Sequence, residues 1–253
     1  MKFRFLGTGT SNGVPVIGCD CAVCKSNNRR DKRSRTAAML ETETTRVLID
    51  CGPDIRMQLM PLEFRKIDAV LLTHEHYDHA GGIDDLRPCC YFGNIDIYGN
   101  DMTVKAVKHN FPYCFTEHLY PGVPKLTLHA IRKHEPMRVG DINILPIEVM
   151  HGKLPILGYR FGSMAYITDM KAISPDECVY LQGVETLVLN ALRWAKPHHS
   201  HLIIPEAIDF SRRIGASRTF LTHLTHKIGL HEVANDRLPE GFQFAYDGLE
   251  IDV

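Results

Sequence analysis

No run of apolar residues here approaches the ~20 that a helix needs to cross a bilayer, so the 253-residue chain is expected to lack a membrane-spanning helix. An excess of charge of one sign is also missing. Lys+Arg 29 nearly cancels Asp+Glu 30, for a formal net charge of -1, which excludes a whole-surface attraction to nucleic acid or anionic lipid. The N-terminal segment Met1-Lys2-Phe3-Arg4-Phe5-Leu6 lacks the continuous apolar core of a signal peptide and alternates like a strand. Without an export signal, the eight cysteines read as reduced thiols or metal ligands rather than a disulfide framework, and a cytoplasmic location is expected. Linkers, low-complexity tracts, charge blocks and clear repeats are absent, so residues 1–253 are expected to form one α/β domain.

What is present begins with short apolar runs of strand length. Val47 to Ile49, Ala69 to Leu72, Ile95 to Tyr98, Ile142 to Val149, Ala165 to Ile167, Thr186 to Leu189 and Thr219 to Leu221 suit covered strands. Gly140-Asp141 suits a turn before the Ile142 strand. Phe242, Phe244 and Tyr246 alternate before Asp247-Gly248, and Leu249, Ile251 and Val253 alternate after it, predicting a C-terminal hairpin. Ser174-Pro175-Asp176-Glu177 has the cap, N1 proline and capping-box glutamate of a helix start. Pro205 to Ile214 reads as a helix stopped by Gly215. Gly7-Thr8-Gly9-Thr10 lacks the Lys-Ser/Thr of a P-loop and reads as a tight turn after the first strand.

The fourteen histidines carry the chemistry. At the end of the Ala69 strand stand His74, His76, Asp78 and His79, four metal-ligand types within six residues. In an extended segment His74 and His76 lie on one side, while Asp78 and His79 follow a turn and can face a second ion. A mixed imidazole and carboxylate set suits zinc, manganese or iron without choosing among them. A lone histidine at a strand end is ordinarily a hydrogen-bonded residue, but four such side chains this close, followed by Gly81-Gly82, are not. Separately, Cys19, Cys21 and Cys24 form C-x-C-x-x-C in a Gly-, Asn- and Pro-rich loop at about 18–26. Three packed thiols there suit a tetrahedral structural zinc that needs one more ligand, and spacing alone leaves several histidines open.

Thr73-His74-Glu75-His76-Tyr77-Asp78-His79-Ala80-Gly81-Gly82 resembles the HxHxDH signature of metallo-β-lactamase-fold hydrolases. That resemblance implies a four-layer αββα sandwich with two divalent ions at one edge of its β layers. His74, His76 and His151 would hold one ion, Asp78, His79 and His223 the other, and Asp169 would bridge them. Asp50 corresponds to a buried aspartate that braces the histidine loop. The cysteine loop resembles that of the cyclic-phosphate phosphodiesterases of phosphonate breakdown, which implies that His226 completes the zinc site. A related loop in a pyrroloquinoline-quinone branch leaves the substrate open. In the resembling phosphodiesterases a histidine of the loop before the last ligand acts as general acid. His201 of Pro197-His198-His199-Ser200-His201 is the best match, with His198 and His199 as rivals.

The function this resemblance implies is hydrolysis of a small, cyclic phosphodiester. Two divalent ions sharing a water convert it to hydroxide near neutral pH and neutralise charge on a phosphoryl oxygen. Asp78, as ligand, and His201, as acid, are the residues assigned to catalysis. Arg87, Lys153 and Arg193 are candidate phosphate contacts. A tRNA 3′-end endonuclease of the same fold would carry an arm between the third histidine and the bridging aspartate, for which His151 to Asp169 is too short, so nucleic acid is not the expected partner. A thioester or lactone hydrolase and a non-catalytic metal-binding module are the remaining alternatives. Cys89 to Phe92 and Phe111 to Phe115 suit a pocket lining or a homodimer face equally.

Overall fold

The computed structural model describes residues 1–116 and 122–253. Among them, seven strands form each of two sheets. The first comprises β1 (Lys2–Gly7), β2 (Ala37–Glu41), β3 (Arg46–Ile49), β4 (Ala69–Leu71), β5 (Ile95–Gly99), β6 (Leu126–Ala130) and β14 (Glu250–Asp252), in the order β14-β1-β2-β3-β4-β5-β6. The second comprises β7 (Met137–Val139), β8 (Ile142–His151), β9 (Leu154–Phe161), β10 (Met164–Ile167), β11 (Thr186–Asn190), β12 (Arg218–Thr222) and β13 (Phe242–Phe244), in the order β13-β12-β11-β10-β9-β8-β7. Each sheet is antiparallel on one side and parallel on the other: β3-β4-β5-β6 and β10-β11-β12-β13 are the parallel halves. The two sheets share one pairing plan, although no repeat is visible in the sequence.

Three apolar layers hold the sheets and helices. Between the sheets lie Phe3, Phe5, Val47, Ile49, Tyr159, Phe161 and Tyr166, and each large side chain buried there contributes roughly 2 kcal/mol. The opposite face of the first sheet packs on α2 (Ile55–Leu59), on α4 (Asp101–Asn110) and on the 3-10 helix Ile83–Phe92, through Ile55, Val107, Ile83 and Leu86. The outer face of the second packs on α6 (Ile204–Ile214) and α7 (His231–Asn235). In α6, Ile204, Ala207 and Phe210 supply the apolar stripe and Gly215 ends the helix at φ 81°. This is the expected αββα sandwich, a single α/β domain. Four-residue helices complete the set: α1 (Ala22–Lys25) in the cysteine loop, α3 (Tyr77–Ala80) within the histidine motif, and α5 (Pro175–Cys178). Tyr91 and Phe92 end on the surface beside Phe64, whereas Cys114 is buried.

Three local expectations need correction. The predicted C-terminal hairpin does not form, because β13 pairs with β12 in one sheet and β14 with β1 in the other. Asp247 is the crossover: its carboxylate accepts from Thr8 N and Oγ1 and from Ser34 N and Oγ at 2.6–2.9 Å. Gly7 to Thr10 is extended rather than a tight turn. Gly9 bridges both Arg35 and Leu224, and a Cβ on Gly7 would stand 2.0 Å from Arg35 O. At α5 the Ser174 cap forms, but the Glu177 carboxylate turns to His134, Lys133 and Glu148 N instead of closing a capping box.

A buried polar knot ties the loops together where the sheets meet. Arg33 donates to Thr8 Oγ1, Ala245 O and, at 3.1 Å, His231 Nδ1, while His231 N donates to Asp31. Burial, with the Arg33 cation beside it, pushes the His231 imidazole down to about 4, below its ordinary ~6.5. The unfolded chain therefore binds the extra proton first, so this contribution is complete above pH ~6.5 and is lost as pH falls toward 4. Urea unfolding should show the wild type losing about 1–2 kcal/mol more across that window than His231→Asn, whose amide oxygen still accepts from Arg33. Equal losses would contradict this.

Candidate active site

The candidate ligands gather after the carboxyl ends of the parallel strands β4, β10 and β12 and of the antiparallel strand β8, where side chains leaving a sheet can converge. Local backbone strain helps to aim them. Asp50, Asp169 and His223 follow β3, β10 and β12 with φ of 62°, 56° and 57°, a region that costs such residues about 1–3 kcal/mol each. At each, the chain swings out of its strand and turns a buried side chain toward the cluster. The histidine loop is pressed against the segment after β3: Cys51 N donates to His79 O, and Gly82 N to Cys51 O. A Cβ on Gly52 would lie 2.0 Å from Asp78 O. Gly52→Ala should therefore displace α3, cost about 2 kcal/mol and lower metal occupancy, as thermal unfolding and elemental analysis would reveal. Unchanged occupancy would mean that the loop can yield.

Every residue of the expected dinuclear set is brought into one cluster. Ligand atoms lie within 4.8 Å of one another in the groups His74–His76–His151, His74–His79–Asp169 and Asp78–His79–His223. Asp169 stands between them. Its Oδ1 is 3.1 Å from His223 Nε2 and 3.5 Å from His79 Nε2, while Oδ2 is 3.9 Å from His74 Nε2. Asp78 Oδ2 completes one side at 3.3 Å from His79 Nε2 and 3.7 Å from His223 Nε2. One carboxylate thus presents one oxygen to each of two nitrogen-rich sets.

Partners behind the rings set their direction. His79 Nδ1 is 2.7 Å from Asp50 Oδ2, which leaves Nε2 for the cluster. Asp50 also accepts from Thr73 N and Oγ1. His151 Nδ1 donates to Asp169 O and Ser200 O, and Thr168 Oγ1 donates to Asp169 Oδ1. Asp50 takes the bracing place expected of it. Thr73, Thr168 and Ser200 escaped the sequence reading because single hydroxyl residues carry no pattern.

These residues fit divalent cations. His79 Nε2 and both ring nitrogens of His223 are buried without a hydrogen-bond partner, each a liability of about 1–3 kcal/mol that a shared cation would remove. Burial pushes the His74 imidazole well down, so it is neutral. Burial pushes Asp169 up, but the His223 and His79 imidazoles outweigh it and hold the carboxyl well below its usual range. Burial lowers His79, but Asp169, Asp50 and Asp78 outweigh it and raise the imidazole, so a cation there would displace a proton.

The three-histidine loop separates its members. His201 Nε2 is 3.2 Å from Asp169 Oδ2, and its ring stacks on His223 at 4.9 Å. His198 stands behind His201, Nδ1 to Nδ1 at 3.1 Å, and His199 is exposed. His201 is therefore the loop histidine in contact with Asp169, and its group with His151 and Asp169 also lies within 4.8 Å. Burial pushes its imidazole down to about 4, against the opposing Asp169 contact. Of the candidate phosphate contacts, Arg87 pairs with Asp84 at 2.7 Å, Arg193 donates to Lys196 O, and Lys153 is exposed in the β8–β9 turn.

At the second site Cys19, Cys21 and Cys24 Sγ lie 3.2, 3.4 and 3.4 Å from His226 Nδ1. One ring nitrogen cannot hydrogen-bond three thiols at once. Tetrahedral Zn–S and Zn–N bonds would place each sulfur ~3.5 Å from the nitrogen, so the four fit a zinc ion. His226 begins the 3-10 turn His226–Ile228, three residues beyond His223, and this ties the cysteine loop to the active-site loop.

The beta-lactamase superfamily domain model matches residues 45–224. The chain belongs to the beta-lactamase superfamily. Within this hydrolase superfamily, a crystal structure described as a new diphosphatase from the PhnP family superposes with a TM-score of 0.91 at 37% identity, covering 100% of this chain and 97% of that one. An octanoyltransferase of Porphyromonas gingivalis is 43% identical over 251 residues, covering 99% of this chain and 51% of that protein. The chain thus spans about half the length of that relative. A ribonuclease Z of Methanopyrus kandleri is 29% identical, covering 100% of this chain and 98% of the other. The superfamily's members bind divalent metals, consistent with the His and Asp clusters here. Among the described residues, no helix is long and apolar enough to cross a membrane.

Proposed function

We propose that this hydrolase cleaves small, cyclic phosphodiesters with two divalent ions. One is held by His74, His76 and His151, the other by Asp78, His79 and His223, with Asp169 between them and a structural zinc on Cys19, Cys21, Cys24 and His226. The observation that carries the phosphodiester reading is His201 Nε2 at 3.2 Å from Asp169 Oδ2, in the place of the acid that the resembling cyclic-phosphate phosphodiesterases use. The three cysteines converging on His226, three residues from His223, support the same subgroup without choosing the substrate. When bound, the ions acidify water and neutralise charge on the phosphoryl oxygens. The chain's own residues do the rest. Asp50, Thr73 and Thr168 orient His79 and Asp169, and Asp78 closes one side of the cluster. His201, protonated once the phosphodiester anion lies beside it, gives its Nε2 proton to the leaving alkoxide and returns to the neutral form that its burial favours.

The PhnP-family diphosphatase favours a second reading, cleavage of a P–O–P anhydride. A phosphate leaving group needs little protonation, so His201 would matter less there. A tRNA endonuclease is disfavoured: β9, the turn at Gly162-Ser163 and β10 occupy the interval between His151 and Asp169, and no arm departs from it. The test is a turnover panel with metal-loaded protein: a ribosyl cyclic phosphate, a linear diester, a pyrophosphate-linked dinucleotide, precursor tRNA, an octanoyl thioester and a lactone. Cyclic-diester turnover exceeding the others supports the proposal. Turnover confined to the anhydride, RNA, thioester or lactone overturns it.

A further inference from the structure

Ser200, 7% exposed, sits among three histidines just before α6. Its carbonyl accepts from His151 Nδ1 at 3.0 Å. Its hydroxyl lies 3.0 Å from His201 Nδ1 and 3.2 Å from His198 Nδ1, and Ser200 N approaches His198 Nδ1 at 3.4 Å. The flanking backbone is pinned, since Leu202 N donates to Met170 O and Leu192 N to Leu202 O. On the other side lies Gly152, at φ 62° in the β8–β9 turn, where a Cβ would stand in van der Waals contact with Ser200 Cβ at 3.4 Å.

We propose that Ser200 and His198 are positioning residues that hold the His201 ring with Nε2 toward the reacting phosphodiester and Nδ1 away from it. The proposal rests on the reading of His201 as proton donor. An imidazole turns readily about its outer torsion, where the energy wells are broad, and the Nε2 contact to Asp169 fixes one edge of the ring only. With Nε2 facing Asp169 Oδ2, Nδ1 accepts from the Ser200 hydroxyl, which favours one tautomer. A hydroxyl also accepts, so it still serves Nδ1 when the ring is protonated, and His198 Nδ1 partners the hydroxyl from behind. Through its carbonyl the same residue orients His151. One buried serine therefore sets the distance between a candidate ligand and the candidate acid.

Ser200→Ala keeps that carbonyl and removes only the hydroxyl, and His198→Gln is the companion variant. Both are compared with wild type and His201→Ala on metal-loaded full-length protein. One substrate is a ribosyl cyclic phosphate, whose alkoxide leaving group needs a proton. The other is bis(p-nitrophenyl) phosphate, whose leaving group does not. We expect Ser200→Ala and His198→Gln to lower kcat about tenfold on the cyclic substrate at unchanged KM and metal content, and less than about twofold on the nitrophenyl diester. In zinc-loaded protein with 15N-labelled histidine, His201 should show one tautomer in wild type and a mixture in Ser200→Ala. Equal losses on both substrates, or no loss, would overturn the positioning role while His201→Ala still discriminates between them. If His201→Ala does not discriminate either, the proton-donor reading fails and this inference fails with it.

Discussion

Replacing Asp169 by alanine should lower diester hydrolysis roughly 10³-fold and take metal out of the centre, because the change removes several kcal/mol of electrostatic stabilisation. Asp169 is the carboxylate that reaches both nitrogen sets, Oδ1 toward His79 and His223 and Oδ2 toward His74. It also faces His201. Without it, the buried His79 Nε2 and His223 ring nitrogens, which have no hydrogen-bond partner, would keep Asp78 as the one carboxylate facing both. Side chains behind them would remain, since Asp50 still holds His79, so the fold should survive with a changed melting temperature. Steady-state kinetics with elemental analysis checks this. Near-wild-type turnover in metal-free Asp169→Ala protein would remove the catalytic role from this centre.

Cys24→Ser should have the largest effect on stability. Losing one thiolate of the Cys19–Cys21–Cys24–His226 set should release the zinc and lower the melting temperature by about 10 °C, the scale of several kcal/mol in a domain of this size. The reason lies in what the loop otherwise has to hold it. Its apolar contacts are few: Val14, Val23 and Cys24 form a small cluster of their own. Activity should fall as well, because His226 lies three residues after His223 on the same segment. A chelator should reproduce the loss in wild type and change little in the variant. A variant that keeps its zinc and its melting temperature would mean that the cluster is held by packing.

Some of this was legible in the sequence, for physical reasons. His74, His76, Asp78 and His79 were readable because four ligand types crowd into six residues at the end of a strand. His151, Asp169 and His223 lie far apart in the chain, and only the family resemblance connected them before the folded arrangement did. His226 was likewise open from spacing alone. The C-terminal alternation identified strands but could not say which sheet each would join, and the half-buried Asp247 carboxylate sends them apart. The choice among His198, His199 and His201 depended on loop geometry that leaves no periodic trace, as did Ser200. The matching pairing plan of the two sheets left no repeat in the residues, because strand pairing is made by backbone atoms that every sequence possesses.

The most direct test of the central claim is a crystal structure of the metal-loaded protein with anomalous scattering measured at the edges of zinc, manganese and iron. The account predicts two ions flanking Asp169, one toward His74, His76 and His151 and the other toward Asp78, His79 and His223, with zinc at Cys19, Cys21, Cys24 and His226. An active protein carrying a single ion at the Asp169 cluster, or none, would contradict it.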